Sequence, residues 1–477
     1  MLDKLLYGIS WTYAEKVLVQ GLSFIVSIVL ARLLSVDDFG IVAVIMVFIV
    51  ICDSLATGGL SNALVQKLNA DRKDFDTVCI LSLVISLCLY AGLFLAAPYI
   101  ENFYGMPGLS VLTRVLGVRI IISAFNSIQQ AYVQRELAFK KIFWSSFAGS
   151  AASAAVGIGM AVCGMGVWSL VAQYLMSSII SMFVLFMLIE WKPSLNFSLN
   201  SVRELWLYGS KILLGTITYT FKDSIRSLII GKFYSPADLA LYNQGQKFPN
   251  VIMSNIIESI GNVLFPVMAK EQNDFKTIKS MMRKTINSSA YILSPMLLGM
   301  IGAAHSFVVV LLTEKWEGAV VYMQILCLVY LTRPLSTVFK NALMAIGKSG
   351  IFLLHETITS WMTIFMIVVA ITVFDSILLV AWSYVIVSVI GTGIFAYYTR
   401  KHFGYTYSEM LKDFLPAVGL AGAMCLLMLS INKWSCNLWM KLLFQILAGI
   451  VFYLMGSYFM RFESFFLIGK LLRRIKR

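Results

Sequence analysis

The hexapeptide Ser35-Val-Asp-Asp-Phe-Gly40 returns in related form two hundred residues later, as Ser235-Pro-Ala-Asp-Leu-Ala240. Each copy follows an apolar run long enough for a membrane-spanning helix. Downstream segments match at the same offset, Ser61-Asn-Ala-Leu64 against Gly261-Asn-Val-Leu264. Self-similarity at a fixed period is typical of duplicated architecture, and in hydrophobic chains it is typical of transporters. The repeat therefore predicts a protein built of two related lobes.

The composition predicts an integral membrane protein. Of the 477 residues, 59% are hydrophobic and 13% are charged, and the mean hydropathy is +0.83. A soluble chain of this length could not bury so much apolar surface. The 38 basic residues exceed the 24 acidic ones, which gives a net charge of +14. Because the basic residues are scattered between apolar runs and form no single footprint, we expect no nucleic-acid partner.

Fourteen apolar runs are long enough for helices that cross a bilayer, which need about 20 residues each. They predict an all-α membrane protein with about 14 transmembrane helices, arranged as two pseudo-symmetric six-helix lobes plus two extra C-terminal helices. The predicted spans are 10–33, 39–62, 77–98, 110–133, 142–163, 166–190, 206–233, 239–269, 284–312, 318–341, 350–373, 376–399, 413–432 and 438–460.

The repeat also predicts the domain boundaries. The N-terminal six-helix lobe covers 1–190, and a cytoplasmic linker of turn-forming composition covers 191–205. The C-terminal six-helix lobe covers 206–400. Helices 13 and 14 cover 401–460, outside the repeat, and a basic cytoplasmic tail covers 461–477.

Loop charges predict the orientation of the chain. Alternate connections on one side hold about 25 Lys and Arg residues, against about five on the other, and such an excess marks the cytoplasmic side. An even number of spans then places both termini in the cytoplasm. The connections on the opposite side are all short, which leaves no room for the large external loop of a glycosyltransferase or polymerase. We therefore expect a protein that is not an enzyme and has no catalytic residues.

Charged residues inside the predicted spans mark the candidate site, because such groups usually face a cavity or one another. Lys222 and Arg226 are four residues apart on span 7 and share one helical face, and Asp223 is placed to pair with Arg226. Arg119 and Arg333 lie at similar places in the two lobes. The arginine guanidinium binds phosphate oxygens in a bidentate manner. We predict that Arg119, Lys222, Arg226 and Arg333 form a cationic, substrate-binding cavity, with interhelical salt bridges as the alternative.

Acidic residues in the spans are candidates for charge balance or ion coupling. They are Asp53, Asp223 and Glu258. The neighbouring residues His355 and Glu356 have the chemistry to carry a proton, but their place near a span end favours a solvated pair.

No motif predicts a cofactor or a metal site. The seven cysteines form no CxxC pair. The run from Ala342 to Gly347-Lys348-Ser349 resembles a phosphate-binding loop, but Ala342 replaces the first glycine and a span precedes it in place of a strand. Energy for transport would then come from an ion gradient, with H⁺ or Na⁺ as the coupling ion, or from the supply and removal of substrate.

Four segments carry a resemblance to a known family. Ala31-Arg32-Leu-Leu-Ser-Val-Asp-Asp-Phe-Gly-Ile41 resembles the ARxLxxxDFG signature after the first span of Wzx-type, WzxC-like polysaccharide flippases. Asn62-Ala-Leu-Val-Gln66 is similar to the xALVQ segment after their second span. The segments 129–139 and 242–246 resemble two others. The family belongs to the multidrug/oligosaccharidyl-lipid/polysaccharide (MOP) exporter superfamily, and the resemblance covers at least residues 1–400.

The resemblance implies a V-shaped protein of fourteen helices in the bacterial inner membrane. Such proteins flip undecaprenyl-diphosphate-linked oligosaccharide from the inner to the outer leaflet by alternating access, for export of surface polysaccharides such as lipopolysaccharide. It also implies membrane lipids and polysaccharide polymerase or assembly proteins as partners. The charged cavity positions vary within the family, so no site residue is assigned through it.

Two alternatives stay open. The first is a cation-coupled multidrug exporter of the same superfamily, which is expected to favour acids and aromatic residues over arginines in its cavity. The second is a membrane glycosyltransferase or polymerase, which the short external connections disfavour.

Overall fold

The computed structural model describes residues 11–12, 14–57, 59–67 and 70–466, without the side chains at 207–208, 211, 219, 254–255, 258–259 and 262–263. Within these ranges every regular element is helical and there is no strand, so the all-α prediction is confirmed. A π-helical stretch, Glu15–Val19, precedes the α-helices. These are α1 Gln20–Leu33, α2 Val36–Thr57, α3 Leu60–Gln66, α4 Arg72–Tyr104, α5 Leu109–Arg135, α6 Phe139–Val162, α7 Val167–Leu188, α8 Leu199–Phe233, α9 Pro236–Lys270, α10 Phe275–Leu312, α11 Ala319–Ala345, α12 Ser349–Thr372, α13 Ile377–Phe403, α14 Tyr407–Ile431 and α15 Leu438–Phe459.

The helices confirm a multi-pass membrane protein. By length and hydropathy, 12 helical segments of the described residues can span a membrane. They are α1 with its π-helical stretch, α2 with α3, and each of α4–α7 and α10–α15. The remaining two, α8 and α9, are 35 residues long each, well above the length a span requires. They coincide with predicted spans 7 and 8, so fourteen spans are compatible with the structure.

The repeated hexapeptide forms the same helix start twice. Ser35 Oγ accepts a 3.2 Å hydrogen bond from the Asp38 backbone N–H, and Asp38 accepts one of 3.1 Å from the Ser35 N–H. Ser235 and Asp238 repeat this exchange at 3.1 and 3.2 Å. Each pair satisfies backbone donors that a helix start leaves open, as in a capping box. The repeat in the sequence is therefore a repeated turn between two long helices.

The chain packs into two compact units, Met1–Ala240 and Leu241–Arg477, here called the first and second units. The boundary between the units lies after the predicted linker at 191–205. The lobes that the sequence repeat defines therefore stay a prediction. In the first unit, α4 packs on α5, α6 on α7, and α8 on α2 and α3. One of its buried clusters joins α3, α4, α5 and α7 through Leu64, Phe75, Ile128 and Leu185.

The predicted linker is tied to α4 by hydrogen bonds to one buried carboxylate. The Asp76 carboxylate is fully buried and accepts hydrogen bonds from Trp191 Nε1 at 3.1 Å and the Ser194 N–H at 3.2 Å. The Ser194 hydroxyl donates to the same carboxylate. Ser198 caps α8, which therefore starts inside the predicted linker.

In the second unit, α14 and α15 pack on α10. Arg283 of α10 donates two hydrogen bonds to Asp413 of α14, at 2.7 and 2.8 Å, and Tyr405 Oη donates to the same carboxylate at 2.7 Å. The two helices predicted outside the repeat thus have specific polar and apolar contacts. Of the predicted basic tail, residues 467–477 lie outside the described part of the chain.

A second turn also repeats. Between α5 and α6, Leu137 has φ +55°, and between α11 and α12, Gly347 has φ +75°. The next residues, Ala138 and Lys348, have nearly equal backbone angles, φ −91° and ψ 45° against φ −88° and ψ 46°. The glycine therefore supplies the left-handed conformation of a turn. The run Gly347-Lys348-Ser349, which resembles part of a phosphate-binding loop, is therefore the turn between α11 and α12.

Candidate functional site

Arg119 lies on α5 in the first unit and faces α2 and α7. Its Nε donates a 3.2 Å hydrogen bond to Ser178 Oγ, and Nη1 lies 3.7 Å from Met46 Sδ. The guanidinium carbon is 6.0 Å from the centre of the Tyr174 ring. The side chain is half-buried. Three helices therefore fix the position of this cation.

Asp53 is the acidic residue near Arg119. Ser123, one turn after Arg119 on α5, donates a 2.6 Å hydrogen bond from Oγ to Asp53 Oδ1. The Arg119 charge also interacts with the Asp53 carboxylate. The structure thus brings Arg119 and Asp53 together, an arrangement suited to charge balance. The functional role of Asp53 stays a prediction.

The charged residues of the predicted cluster on α8 differ in burial. Arg226 is buried, with 4% of its surface exposed, whereas Lys222 is half-buried and Asp223 is exposed. Thr220 and Ser54 pair through their hydroxyls at 3.1 Å and tie this part of α8 to α2. Such burial suits an interhelical contact of Arg226 as well as an anion site. The assignment of Lys222, Asp223 and Arg226 therefore stays a prediction.

Arg333 lies on α11 in the second unit and faces α13. Its Nη2 donates a 2.7 Å hydrogen bond to Tyr384 Oη, and its guanidinium carbon is 5.5 Å from the centre of the Tyr330 ring. Hydroxyl pairs continue the contact between the two helices. They are Thr332 with Ser388 and Ser336 with Thr392, each at 2.6 Å.

The two arginines have related surroundings that the sequence analysis missed. Arg119 meets the pair Tyr174 and Ser178. Arg333 is hydrogen-bonded to Tyr384, and Ser388, one turn after Tyr384, pairs with the neighbouring Thr332. Each pair has the spacing Tyr-x-x-x-Ser, which places both side chains on one face of a helix. The two tyrosines are two hundred and ten residues apart in the sequence, and so are the two serines. This constant interval was a signal that the sequence analysis could have used.

A further polar group, also missed as a site, lies on α11 and α12. Lys340 Nζ is 5.7 Å from the centre of the Phe352 ring, and the Lys340 charge interacts with those of Glu356 and Arg333. His355 Nδ1 and Glu356 Oε1 are 3.2 Å apart. The His355 ring stacks on Phe395 of α13 at a centroid distance of 4.0 Å.

The other predicted positions add little to the site. The side chain of Glu258 lies outside the described residues. Among the residues that the structure describes, no three His, Cys, Asp or Glu side chains are grouped to hold a metal ion. All seven cysteines are free thiols.

Comparison with known proteins supplies the context. The family model described as polysaccharide biosynthesis protein matches residues 29–321. The lipopolysaccharide biosynthesis protein WzxC of Escherichia coli (strain K12) is 26% identical over 357 residues, which cover 73% of this chain and 71% of WzxC. The teichuronic acid biosynthesis protein TuaB of Bacillus subtilis (strain 168) is 22% identical over 469 residues, with 94% of each chain covered.

The fold is similar to that of a solved membrane protein. The lipid II flippase MurJ, in an inward closed conformation, superposes with a TM-score of 0.75 at 16% identity. The superposition covers 96% of this chain and 99% of MurJ. At this level of identity the likeness establishes the fold alone.

Proposed function

We propose a transport function for this chain, which belongs to the polysaccharide biosynthesis protein family. Its expected resemblance to Wzx-type flippases of the MOP superfamily is confirmed by relatives such as WzxC and by the MurJ-like fold. The chain moves undecaprenyl-diphosphate-linked oligosaccharide repeat units from the inner to the outer leaflet of the bacterial inner membrane. Alternating access accomplishes this movement, with both termini in the cytoplasm, and the product feeds surface polysaccharide assembly.

The observation that carries this proposal is an arginine inside a membrane-spanning helix of each unit. Arg119 and Arg333 are held by hydroxyl groups of the neighbouring helices, at 3.2 and 2.7 Å. A diphosphate loses its hydration when it enters hydrocarbon, at a high cost in free energy. Fixed guanidinium groups replace part of that hydration by charge-assisted hydrogen bonds. Lys222 and Arg226 are further candidates for binding an anionic group.

The lipid and sugar parts of such a substrate need no covalent chemistry from the protein. The connections 105–108, 163–166, 313–318, 373–376 and 432–437 lie on the predicted outer side and are short. They offer no domain on which an acceptor sugar could be bound and activated. The proposal therefore favours a transporter over a glycosyltransferase or polymerase.

A multidrug exporter remains the alternative that experiments must separate. A cationic drug requires an acidic or aromatic cavity, but Asp53 already accepts a hydrogen bond from Ser123 and lies near Arg119. A balanced carboxylate of this kind attracts a cation less strongly than an isolated one. The arginines favour an anionic substrate.

Deletion of the chain in its host tests the function. We expect lipid-linked repeat units to accumulate where a lectin added outside the cytoplasmic membrane of spheroplasts cannot reach them. The efflux of cationic dyes should be unchanged. Normal exposure of the repeat units together with slower dye efflux would favour the multidrug exporter.

A further inference from the structure

We propose that the first unit binds a phospholipid of the leaflet in which α8 begins, which is the inner leaflet in the predicted orientation. One acyl chain lies in an apolar cavity between α2, α4 and α8, and the phosphate lies at Arg203. This lipid is a resident partner of the protein and not the transported substrate. The inference therefore goes beyond the proposed function and does not depend on it.

The cavity lies where the chain passes from α2 to α3, and its volume is about 250 Å³. The residues that line it are glycine, alanine, leucine and isoleucine, together with one tryptophan. Among them are Ala56, Gly59, Ile85, Leu89, Gly209 and Leu213. An engineered apolar cavity of about 150 Å³ stays free of water and binds benzene or xenon. A larger cavity of the same character is therefore expected to take up hydrocarbon in a membrane.

Two contacts fix the helices around the cavity. The backbone before α3 touches that of α8 at two glycines, since a Cβ atom at Gly59 would lie 2.3 Å from the carbonyl oxygen of Gly209. Nearer the start of α8, Lys67 Nζ lies 2.9 Å from Asp74 Oδ2 on α4 and 2.9 Å from Glu204 Oε2 on α8. The cavity is thus bounded by helices whose spacing is set, as is usual for ligand pockets.

The depth of the cavity matches one leaflet. Ile85 is eleven residues after Asp74 and Leu213 is nine after Glu204, which correspond to about 17 and about 14 Å along the two helices. The hydrocarbon core of a bilayer is about 30 Å thick. An acyl chain that enters at the level of the ion pairs of Lys67 therefore reaches the end of the cavity within its own leaflet. The much longer undecaprenyl chain exceeds this interval, so the fit favours a phospholipid.

The start of α8 supplies an interfacial aromatic residue and a cation. Trp206 lines the cavity and is 46% exposed, as is typical of a tryptophan at the level of the headgroups. Arg203 precedes it by three residues, so both lie on the same side of α8, with the cation nearer the start of the helix. Arg203 is exposed. Because a guanidinium binds phosphate oxygens in a bidentate manner, Arg203 suits the phosphate of a lipid whose acyl chain lies in the cavity.

A photoreactive lipid tests the cavity in the full chain, purified in dodecyl maltoside. The probe is phosphatidylglycerol with a diazirine at the end of one acyl chain, and we expect it to label the peptide around Leu213. Leu89→Trp fills the cavity and should lower this labelling several-fold. Leu95→Trp is the matched control, because Leu95 is 70% exposed on the same helix, and its labelling should equal that of the wild type. Ala56→Leu fills the cavity from α2 and serves as the test if Leu89→Trp does not fold.

The same probe tests the phosphate contact and the identity of the lipid. Arg203→Ala should reduce labelling about fivefold at a limiting probe concentration, because a basic residue near the membrane surface contributes about that factor to the binding of an anionic lipid. Arg203→Lys should retain most of the labelling. Unlabelled phosphatidylglycerol should compete with the probe, whereas the same amount of undecaprenyl phosphate should not.

The outcomes decide this inference separately from the proposed function. Labelling at the wild-type level in the folded cavity-filling variants would overturn the cavity as the binding place, and unchanged labelling in Arg203→Ala would overturn the phosphate contact. Displacement of the probe by undecaprenyl phosphate but not by phosphatidylglycerol would show that the cavity takes the chain of a carrier lipid, against the proposal. The expected labelling pattern would support the phospholipid site even if the chain failed to transport lipid-linked oligosaccharide.

Discussion

Arg333 donates a 2.7 Å hydrogen bond from Nη2 to the hydroxyl of Tyr384, across the contact between α11 and α13. In the first unit, Arg119 is bonded to Ser178, which lies one turn after Tyr174 on α7. Each arginine is thus positioned by a helix that carries a Tyr-x-x-x-Ser pair. The serine of the pair accepts the hydrogen bond of Arg119, whereas the tyrosine accepts that of Arg333.

Removal of the Tyr384 hydroxyl should impair transport. A hydrogen bond to a charged group contributes about 1.5–3 kcal/mol, so a misplaced Arg333 should slow transport roughly tenfold in Tyr384→Phe. Ser388→Ala removes a hydroxyl from the same helix without changing a hydrogen bond of Arg333. Initial rates of translocation in reconstituted vesicles check both variants. If Ser388→Ala slows transport as much as Tyr384→Phe does, helix packing and not the arginine contact explains the loss.

Asp53 and Arg119 should be energetically coupled. Asp53→Asn leaves the Arg119 charge without its carboxylate, so we expect a lower melting temperature than for Ser123→Ala, which keeps the charge. Arg119→Ala in the Asp53→Asn background should restore part of the loss, with a coupling free energy of about 0.5–3 kcal/mol. Thermal unfolding of the wild type, Asp53→Asn, Arg119→Ala and the double variant in detergent gives this double-mutant cycle. Strict additivity would show that the two charges do not interact.

A methyl group at Gly40 should destabilise the first unit. A Cβ atom there would lie 1.8 Å from the carbonyl oxygen of Pro236, so backbone must shift. Gly40→Ala should therefore cost about 1–3 kcal/mol in the free energy of unfolding. Gly92 lies inside α4, where such a Cβ would meet no atom within 4 Å apart from its own helix backbone, and Gly92→Ala should stabilise by about 0.5–1 kcal/mol. Melting temperatures that fall equally in both variants would contradict this close approach.

The contact of Asp76 with the segment after α7 should protect that segment from proteolysis. Asp76→Ala removes the acceptor of Trp191 Nε1 and of two Ser194 donors. Limited proteolysis should then cut between Trp191 and Ser198 faster, while Lys73→Ala, at an exposed position on the same helix, should be cut at the wild-type rate. Equal cutting of Asp76→Ala and the wild type would mean that the segment is held by other contacts.

The sequence was sufficient to predict the helices but not how each helix is rotated about its own axis toward its neighbours. Apolar length and the Ser35 and Ser235 turns locate the spans, because these signals are local to the chain. Spacing alone placed Lys222 and Arg226 on one face, yet Arg226 is buried and Lys222 is half-buried. The difference depends on which helix lies beside each residue. Tyr384 was missed for the same reason, since its contact joins residues 51 positions apart.

The most direct test of the account is translocation of undecaprenyl-diphosphate-linked oligosaccharide in vesicles that contain only the purified chain. We predict that the wild type exposes the oligosaccharide to an added glycosidase, and that Lys401→Ala, a control at an exposed position on α13, does so equally. Arg119→Ala and Arg333→Ala should slow this exposure at least roughly tenfold. Lys222→Ala and Arg226→Ala, measured in the same way, decide whether α8 contributes to the site. No translocation by correctly folded wild-type protein, or normal translocation by all four variants, would contradict the account.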